Sequence, residues 1–214
     1  MTDVPNMIDI DYQRRAEEAF DRLRGHAIGH YAMLEQALAN LFAELTGMKL
    51  QAAGTIFFKI TNAQARDRIL ERLLKQAHGS AYSKFWSSYK KMIENVSHKR
   101  NNIVHWMKSY YVEDPQYTSA FYILIQPDYL NLTGEGIIAP AQITEFIDKC
   151  KFLTALGATF WQFLNPTIRA RWIPERVNTW SDIFQREVIY PTPPGHPLHQ
   201  IPKIPDTPLP TSQG

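Results

Sequence analysis

The sequence predicts a mainly α-helical protein, an antiparallel four-helix bundle with a short β-strand or hairpin inserted before the last helix. Long stretches without proline repeat apolar residues at the spacing of an amphipathic helix. One run of aromatic and β-branched residues, 117–125, is typical of a strand. Proline occupies 8 of the 20 positions from Pro191 to Pro210, so we expect an extended or disordered tail there.

The composition excludes several classes of protein. The chain has 214 residues, of which 44% are hydrophobic, enough to build a core. Its 23 basic and 21 acidic residues give a formal net charge of +2, which excludes a histone-like polycation but not a local phosphate site. Cys150 is the single cysteine, which excludes an internal disulfide and a cysteine-based zinc site. The acidic start lacks a signal-peptide pattern and no apolar run approaches ~18 residues, so we expect a cytoplasmic protein with no membrane partner.

The first predicted helix is long. Asp9 or Asp11 can cap it, and it continues to Thr46 with Gly47 as its stop. The apolar run 52–60 that follows cannot be classified by periodicity alone, and we interpret it as a helix. The core stripe of the first helix is formed by Tyr31, Leu34, Leu38, Leu41, Phe42 and Leu45.

Asn62 is expected to cap the next helix. Its predicted core side consists of Ala65, Ile69, Leu73 and Ala77. On its other faces lie Arg66, Arg68, Arg72 and Lys75. These cations are interpreted as a solvated face or, alternatively, as a surface that steers RNA, in which case binding should weaken steeply with salt.

A third helix is predicted over 81–107, and the last helix begins at Thr144 and ends at Leu164, before Asn165–Pro166. Between them, residues 117–125 form one strand, or a hairpin with residues 136–139 across a turn at Gly134 and Gly136. The core side of the third helix is predicted to be Phe85, Tyr89, Met92, Ile93 and Val96, and that of the last helix Phe146, Phe152, Leu156, Phe160 and Phe163.

These elements give three regions. Residues 9–165 form the helical domain, and residues 166–190, which contain Trp172 and Trp180, form a segment that docks on it. Residues 191–214 form the proline-rich tail.

One cluster of residues near the end of the third helix carries chemistry. Its sequence is Lys99-Arg100-Asn101-Asn102-Ile103-Val104-His105. At about 100° per residue, Asn101 and His105 lie about 40° apart on one face, and His98 lies within about 20° of His105. Arg100 lies about 140° from His105, so two copies of the helix that meet across a two-fold axis would combine them best.

Arginine, asparagine and histidine together suit the cleavage of RNA without a metal. A guanidinium binds phosphate oxygens as a planar fork, and an amide can orient it. An imidazole can accept a proton and return it near neutral pH. RNA supplies the nucleophile, its own 2′-hydroxyl group, so the protein needs only a base, an acid and a stabiliser of the developing charge.

The segment Arg100-Asn101-x3-His105 resembles the R-polar-x3-H signature of HEPN domains (higher eukaryotes and prokaryotes nucleotide-binding), helical bundles common in toxin and defence ribonucleases. The surrounding sequence is similar as well: Leu34-Glu35 in the long first helix, Ala65-Arg66-Asp67 in the second, and Trp86 before the signature. The resemblance covers about Tyr12 to Leu164 and excludes the proline-rich tail.

The resemblance implies a metal-independent, cofactor-free endoribonuclease that works as a homodimer, with its site in the dimer groove and an antitoxin or regulatory protein as a further partner. His105 would deprotonate the 2′-hydroxyl, Arg100 would stabilise the transition state, and Asn101 would hold Arg100 or the phosphate. The product would end in a 2′,3′-cyclic phosphate. The remaining substrate contacts are assigned to His98, Lys99 and Asn102. Met107 stands where one branch of the family carries a modified tyrosine, so that regulation is not expected here.

Three alternatives remain open from the sequence. Arg100 and His105 can be purely structural, and a HEPN-like module can bind a nucleotide or a protein without cutting RNA. His26 and His30 have a spacing that can chelate a metal, although a third ligand would have to come from another helix.

Overall fold

The computed structural model describes residues 10–112, 120–127 and 136–199. Asp9, residues 117–119, Gly134 and residues 200–214, on which parts of the sequence predictions fall, lie outside the described residues. The described elements are α1 (Ile10–Thr46), α2 (Leu50–Lys59), α3 (Ala63–His78), α4 (Ser83–His105), β1 (Met107–Val112), β2 (Ala120–Ile125), β3 (Ile137–Ile138), α5 (Pro140–Leu164), α6 (Pro166–Arg169) and α7 (Pro174–Ile183).

The mainly α-helical class is confirmed, and the β-structure is a small antiparallel sheet with the strand order β1-β2-β3. Met107 pairs with Ile125 at one end of the β1–β2 ladder. Leu124 pairs with Ile138 in the β2–β3 ladder, so the hairpin option was the better one. Strand β1 was not predicted, because the helical pattern of the sequence continues to Met107 whereas α4 ends at His105.

Residues at the helix termini explain where most of the helices begin and end. Gly47 has a φ of +66°, a conformation that favours glycine and ends α1 where expected. The Asn62 side chain accepts a hydrogen bond from the backbone N–H of Ala65 at 3.0 Å and caps α3. Helix α5 begins at Pro140, four residues before the predicted start at Thr144, because proline fits the first turn of a helix.

The chain divides into two compact units, and α1, α4 and α5 contribute residues to both. Of the described residues, the first unit holds 10–29, 99–112, 120–127 and 136–148. The second unit holds 30–98 and 149–199.

In the first unit, α1 packs on the sheet through aromatic side chains. The rings of Phe20 and Tyr122 lie 6.1 Å apart, and those of Tyr110 and Tyr122 lie 5.1 Å apart. The Tyr12 hydroxyl donates a hydrogen bond to the carbonyl oxygen of Ala120 at 3.2 Å. These contacts fix the strand that follows the end of α4, and with it the direction in which the chain leaves that helix.

In the second unit, the predicted core stripes of α1 and α4 and most of that of α5 are largely buried. Phe146 of the α5 stripe is buried in the first unit. The α3 prediction was wrong: the buried side chains are Leu70, Leu74 and Asp67, while Ile69 is 37% exposed. Arg66 also turns inward and forms an ion pair with Glu35 at 2.6 Å.

Residues 166–190 contain α6 and α7. The Phe184 ring is fully buried and lies 5.0 Å from Phe85 and 4.8 Å from Phe160. The backbone N–H of Val188 donates a hydrogen bond to the Ser88 hydroxyl at 2.8 Å. No helix within the described ranges combines the length and the hydropathy that a bilayer crossing requires.

Candidate functional site

The predicted site residues lie in the last two turns of α4, which ends at His105. His105 and Asn101 are exposed, one helical turn apart. Lys99, Arg100 and Asn102 are half-buried. The helix therefore presents an imidazole and an amide to solvent at its carboxyl end.

The buried side of this helix end explains the different exposure of the two principal residues. Ile103 is completely buried and marks the direction of the core. At about 100° per residue, Arg100 leaves the helix about 60° from Ile103, whereas His105 leaves it about 160° away. The Arg100 Nε atom is accordingly buried. Within one chain, Arg100 and His105 thus do not share a helix face.

Arg24 in α1 holds the end of α4. Its Nε donates a hydrogen bond to the carbonyl oxygen of Ile103 at 2.8 Å, and its Nη2 donates to that of Val104 at 2.7 Å. A third, longer bond reaches the carbonyl oxygen of Trp106 at 3.3 Å. The last carbonyls of a helix have no partner within the helix, so the guanidinium caps α4 and opposes the negative end of its dipole. Two of the three capped carbonyls flank His105 directly.

Lys108, three residues after His105, ties β1 to α1. Its Nζ donates to Glu17 Oε1 at 2.7 Å and to Asp21 Oδ2 at 2.7 Å. Burial alone lowers the pKa of Lys108, but the hydrogen bonds to Asp21 and Glu17 outweigh it and raise the pKa above its usual value. The lysine is therefore a fixed cation with two carboxylate partners, held beside the exit of the chain from α4.

Neither Arg24 nor Lys108 was predicted from the sequence to hold the chain at the end of α4. The three carbonyl groups that Arg24 binds are separated from it by 79 to 82 residues. No local spacing links residues that far apart, and Arg24 itself sits in an ordinary helical pattern. An arginine that caps a distant helix leaves no signal in a single sequence.

The alternative metal site at His26 and His30 has no third ligand among the described residues. His26 is exposed, and within 10–112, 120–127 and 136–199 no group of three or more histidine, cysteine, aspartate or glutamate residues is arranged to hold a metal ion. His98, the remaining predicted substrate contact, is exposed in the second unit.

A cleft of about 400 Å³ lies in the second unit and includes none of the predicted site residues. Asn40, Glu44, Trp161 and Asn165 line it, together with apolar side chains. The Asn165 amide donates a hydrogen bond to Glu44 Oε2 at 2.8 Å, so this polar pair is satisfied within the protein.

Comparison with known proteins adds no relative. No protein-family model, no curated protein and no solved structure matches this chain. The residues themselves are therefore the basis for any functional assignment.

Proposed function

We propose that this protein is a metal-independent endoribonuclease with a HEPN-like four-helix arrangement, acting in the cytoplasm in a toxin or defence setting. The observation that carries the proposal is the exposure of His105 and Asn101 on a helix end that Arg24 caps through three carbonyl groups. A proton-transferring group needs access to substrate and a fixed position, and this helix end supplies both.

In the proposed reaction, His105 removes the proton of the RNA 2′-hydroxyl, whose oxygen then attacks the adjacent phosphorus. The bond from phosphorus to the 5′-oxygen of the next nucleotide breaks. That leaving oxygen takes back the proton that the imidazole removed, and a 2′,3′-cyclic phosphate remains. Arg100 stabilises the negative charge that develops on the phosphate oxygens, and Asn101 orients the phosphate. His98, Lys99 and Asn102 are the proposed further contacts to the strand.

The proposed enzyme is a homodimer, because Arg100 and His105 leave one helix about 140° apart. Two such helix ends that face each other across a two-fold axis bring the arginine of each chain toward the histidine of its partner. An antitoxin or other regulatory protein is the proposed means of keeping this activity in check.

Cleavage of single-stranded RNA in EDTA tests the proposal. The full chain should release fragments that end in a 2′,3′-cyclic phosphate and should leave the corresponding 2′-deoxy strand intact, because that strand lacks the nucleophile. His105→Ala should abolish cleavage without a change in thermal stability, since the side chain is exposed. His26→Ala, an exposed histidine of α1, is the matched control and should cut like the parent protein. Equal activity of both variants would sink the proposal.

A second candidate, a non-catalytic HEPN-like module that binds a nucleotide or a protein, is favoured by one observation. The Nε atom of Arg100 is buried, as it would be if this arginine served mainly to support its own subunit. In that case Arg100→Gln should lower the free energy of unfolding and abolish ligand binding together. The nuclease proposal instead expects Arg100→Lys to remain folded and to lose cleavage, because lysine cannot form the bidentate fork.

A further inference from the structure

Helix α3 separates its charged residues by face. Arg66 turns inward, with a side chain that is 11% exposed, and is paired with Glu35. Arg68, Arg72 and Lys75 are exposed. At about 100° per residue these three lie within an arc of about 60°, over two helical turns. We call them the α3 cationic stripe.

The acids of α3 do not neutralise this stripe. The helix has two, and Asp67 is buried at 5% exposure. The other, Glu71, is paired with Lys90 of α4 at 2.5 Å. Among the described residues, no hydrogen bond or ion pair involves the side chain of Arg68, Arg72 or Lys75. Three like charges at one-turn spacing disfavour an isolated helix slightly.

We propose that the α3 cationic stripe is a binding surface for the phosphate backbone of single-stranded RNA. Arginine binds phosphate oxygens as a planar fork, and lysine does so as a point charge. Cations spaced along one helix face can follow consecutive phosphates without reading bases. The inference rests on the proposed function in one respect only, that RNA is the ligand.

A membrane surface is the less suitable partner. A helix that lies in a membrane interface needs large apolar side chains opposite its cations and facing the lipid. In α3 the apolar residues Leu70 and Leu74 are buried inside the protein, whereas Ile69 is 37% exposed. The other exposed neighbours of the stripe include Gln64 and Gln76. The stripe therefore offers charge and hydrogen bonds, and one partly exposed isoleucine is too small an apolar surface to anchor it in a membrane.

The test measures RNA binding by the full chain with the His105→Ala background, so that the strand stays intact. Fluorescence anisotropy with a labelled single-stranded RNA gives the association constant over a range of salt concentrations. The triple variant Arg68→Gln, Arg72→Gln and Lys75→Gln should bind more weakly, and the slope of log K against log salt should fall in magnitude by about 2, at about 0.7 per lost contact. Glutamine has a helix propensity close to that of the residues it replaces, so α3 should remain intact.

The matched control replaces three other exposed lysines of the second unit, Lys49, Lys59 and Lys91, by glutamine. It changes the net charge by the same amount and should leave the slope unchanged. An equal loss in both triple variants would show a mere net-charge effect and overturn the proposal. An unchanged slope in the stripe variant, or the absence of measurable RNA binding by the parent chain, would also overturn it. So would a stripe variant that still binds RNA but no longer binds anionic lipid vesicles.

The two proposals can fail separately. If the stripe variant shows the reduced salt-dependence slope but the parent protein cuts no RNA, the binding surface is supported and the nuclease proposal is contradicted. If the parent protein cuts RNA and the stripe variant keeps the parent slope, the nuclease stands and the surface falls.

Discussion

The guanidinium of Arg24 donates a hydrogen bond to the carbonyl oxygen of Ile103 at 2.8 Å, and so joins the first helix to the end of the fourth. With its bonds to Val104 and Trp106, one side chain satisfies carbonyl groups on both sides of His105. The position of the exposed imidazole therefore depends on a residue that has no part in the signature of α4.

Replacing Arg24 by glutamine should lower the free energy of unfolding by about 2 kcal/mol, because hydrogen bonds from a charged donor to half-buried carbonyls are lost. Hydrogen exchange should become faster at the amides of His105 and Trp106, where the helix end frays. Chemical denaturation and exchange measured by mass spectrometry check both effects.

Arg22→Gln is the control for Arg24, because Arg22 is exposed two residues earlier in the same helix. It should change the unfolding free energy by no more than about 0.5 kcal/mol. If Arg24→Gln behaved like this control, the cap would contribute nothing. In the proposed nuclease, Arg24→Gln should also reduce kcat more than it changes KM, since the imidazole is held less firmly.

A comparison of α4 with α3 shows which helix faces could be predicted from the sequence and which could not. The core face of α4 was predicted because Phe85, Tyr89 and Ile93 are large, and large apolar side chains at helical spacing must be buried. In α3 two apolar stripes compete, and the choice of Leu70 and Leu74 over the alanine-containing stripe depends on what α3 packs against. A single sequence does not contain that information.

The end of α4 had the same limitation. The helical pattern continues through Trp106 and Met107, but Arg24 binds the carbonyl oxygen of Trp106 and β1 pairs Met107 with Ile125. Both partners are distant in sequence, so the local pattern gave a helix two residues too long. The residue types of the candidate site could be read from the sequence, whereas their exposure and their anchors required the tertiary structure.

Gly157 of α5 lies against the buried hydroxyl of Tyr89, which donates a hydrogen bond to the carbonyl oxygen of Leu153 at 2.8 Å. A Cβ at position 157 would overlap that hydroxyl oxygen. Gly157→Ala should therefore lower the free energy of unfolding by about 1–3 kcal/mol, although alanine alone favours a helix. Thermal or urea unfolding measures this change.

Two further variants identify the cause of the Gly157 effect. In a Tyr89→Phe background the hydroxyl is absent, and Gly157→Ala should be close to neutral, so the two substitutions should not be additive. Gly54→Ala in α2, where a Cβ meets no atom within 4 Å, should stabilise the protein by about 0.5–1 kcal/mol. Additive effects of Gly157→Ala and Tyr89→Phe would contradict the overlap.

Asp67 is a carboxylic acid in the core of the second unit, and its burial should make stability depend on pH. Burial, followed by the nearby charge of Glu94, raises its pKa from 3.8 to about 6, while Arg66 and Lys90 oppose the rise only in part. Both cations have carboxylate partners of their own, Glu35 and Glu71. The folded state therefore binds a proton more tightly at Asp67 than the unfolded state does.

The direction of the pH dependence follows from this difference in proton binding between the folded and unfolded states. Between pH 3.8 and 6 the folded protein holds more protons at this site, so the contribution of Asp67 to stability is fully present below pH 3.8 and is lost as the pH rises through 6. Asp67→Asn should abolish this loss and make the protein more stable than the parent above pH 6, by up to about 3 kcal/mol. The gain should shrink toward zero near pH 4.

Urea denaturation at a series of pH values measures this gain in stability. The control is Glu71→Gln, which removes an exposed ion pair and should change stability by about 1 kcal/mol or less. A variant Asp67→Asn that is less stable than the parent at pH 7.5 would mean that the ionised carboxylate stabilises the fold, contrary to the burial that raises its pKa.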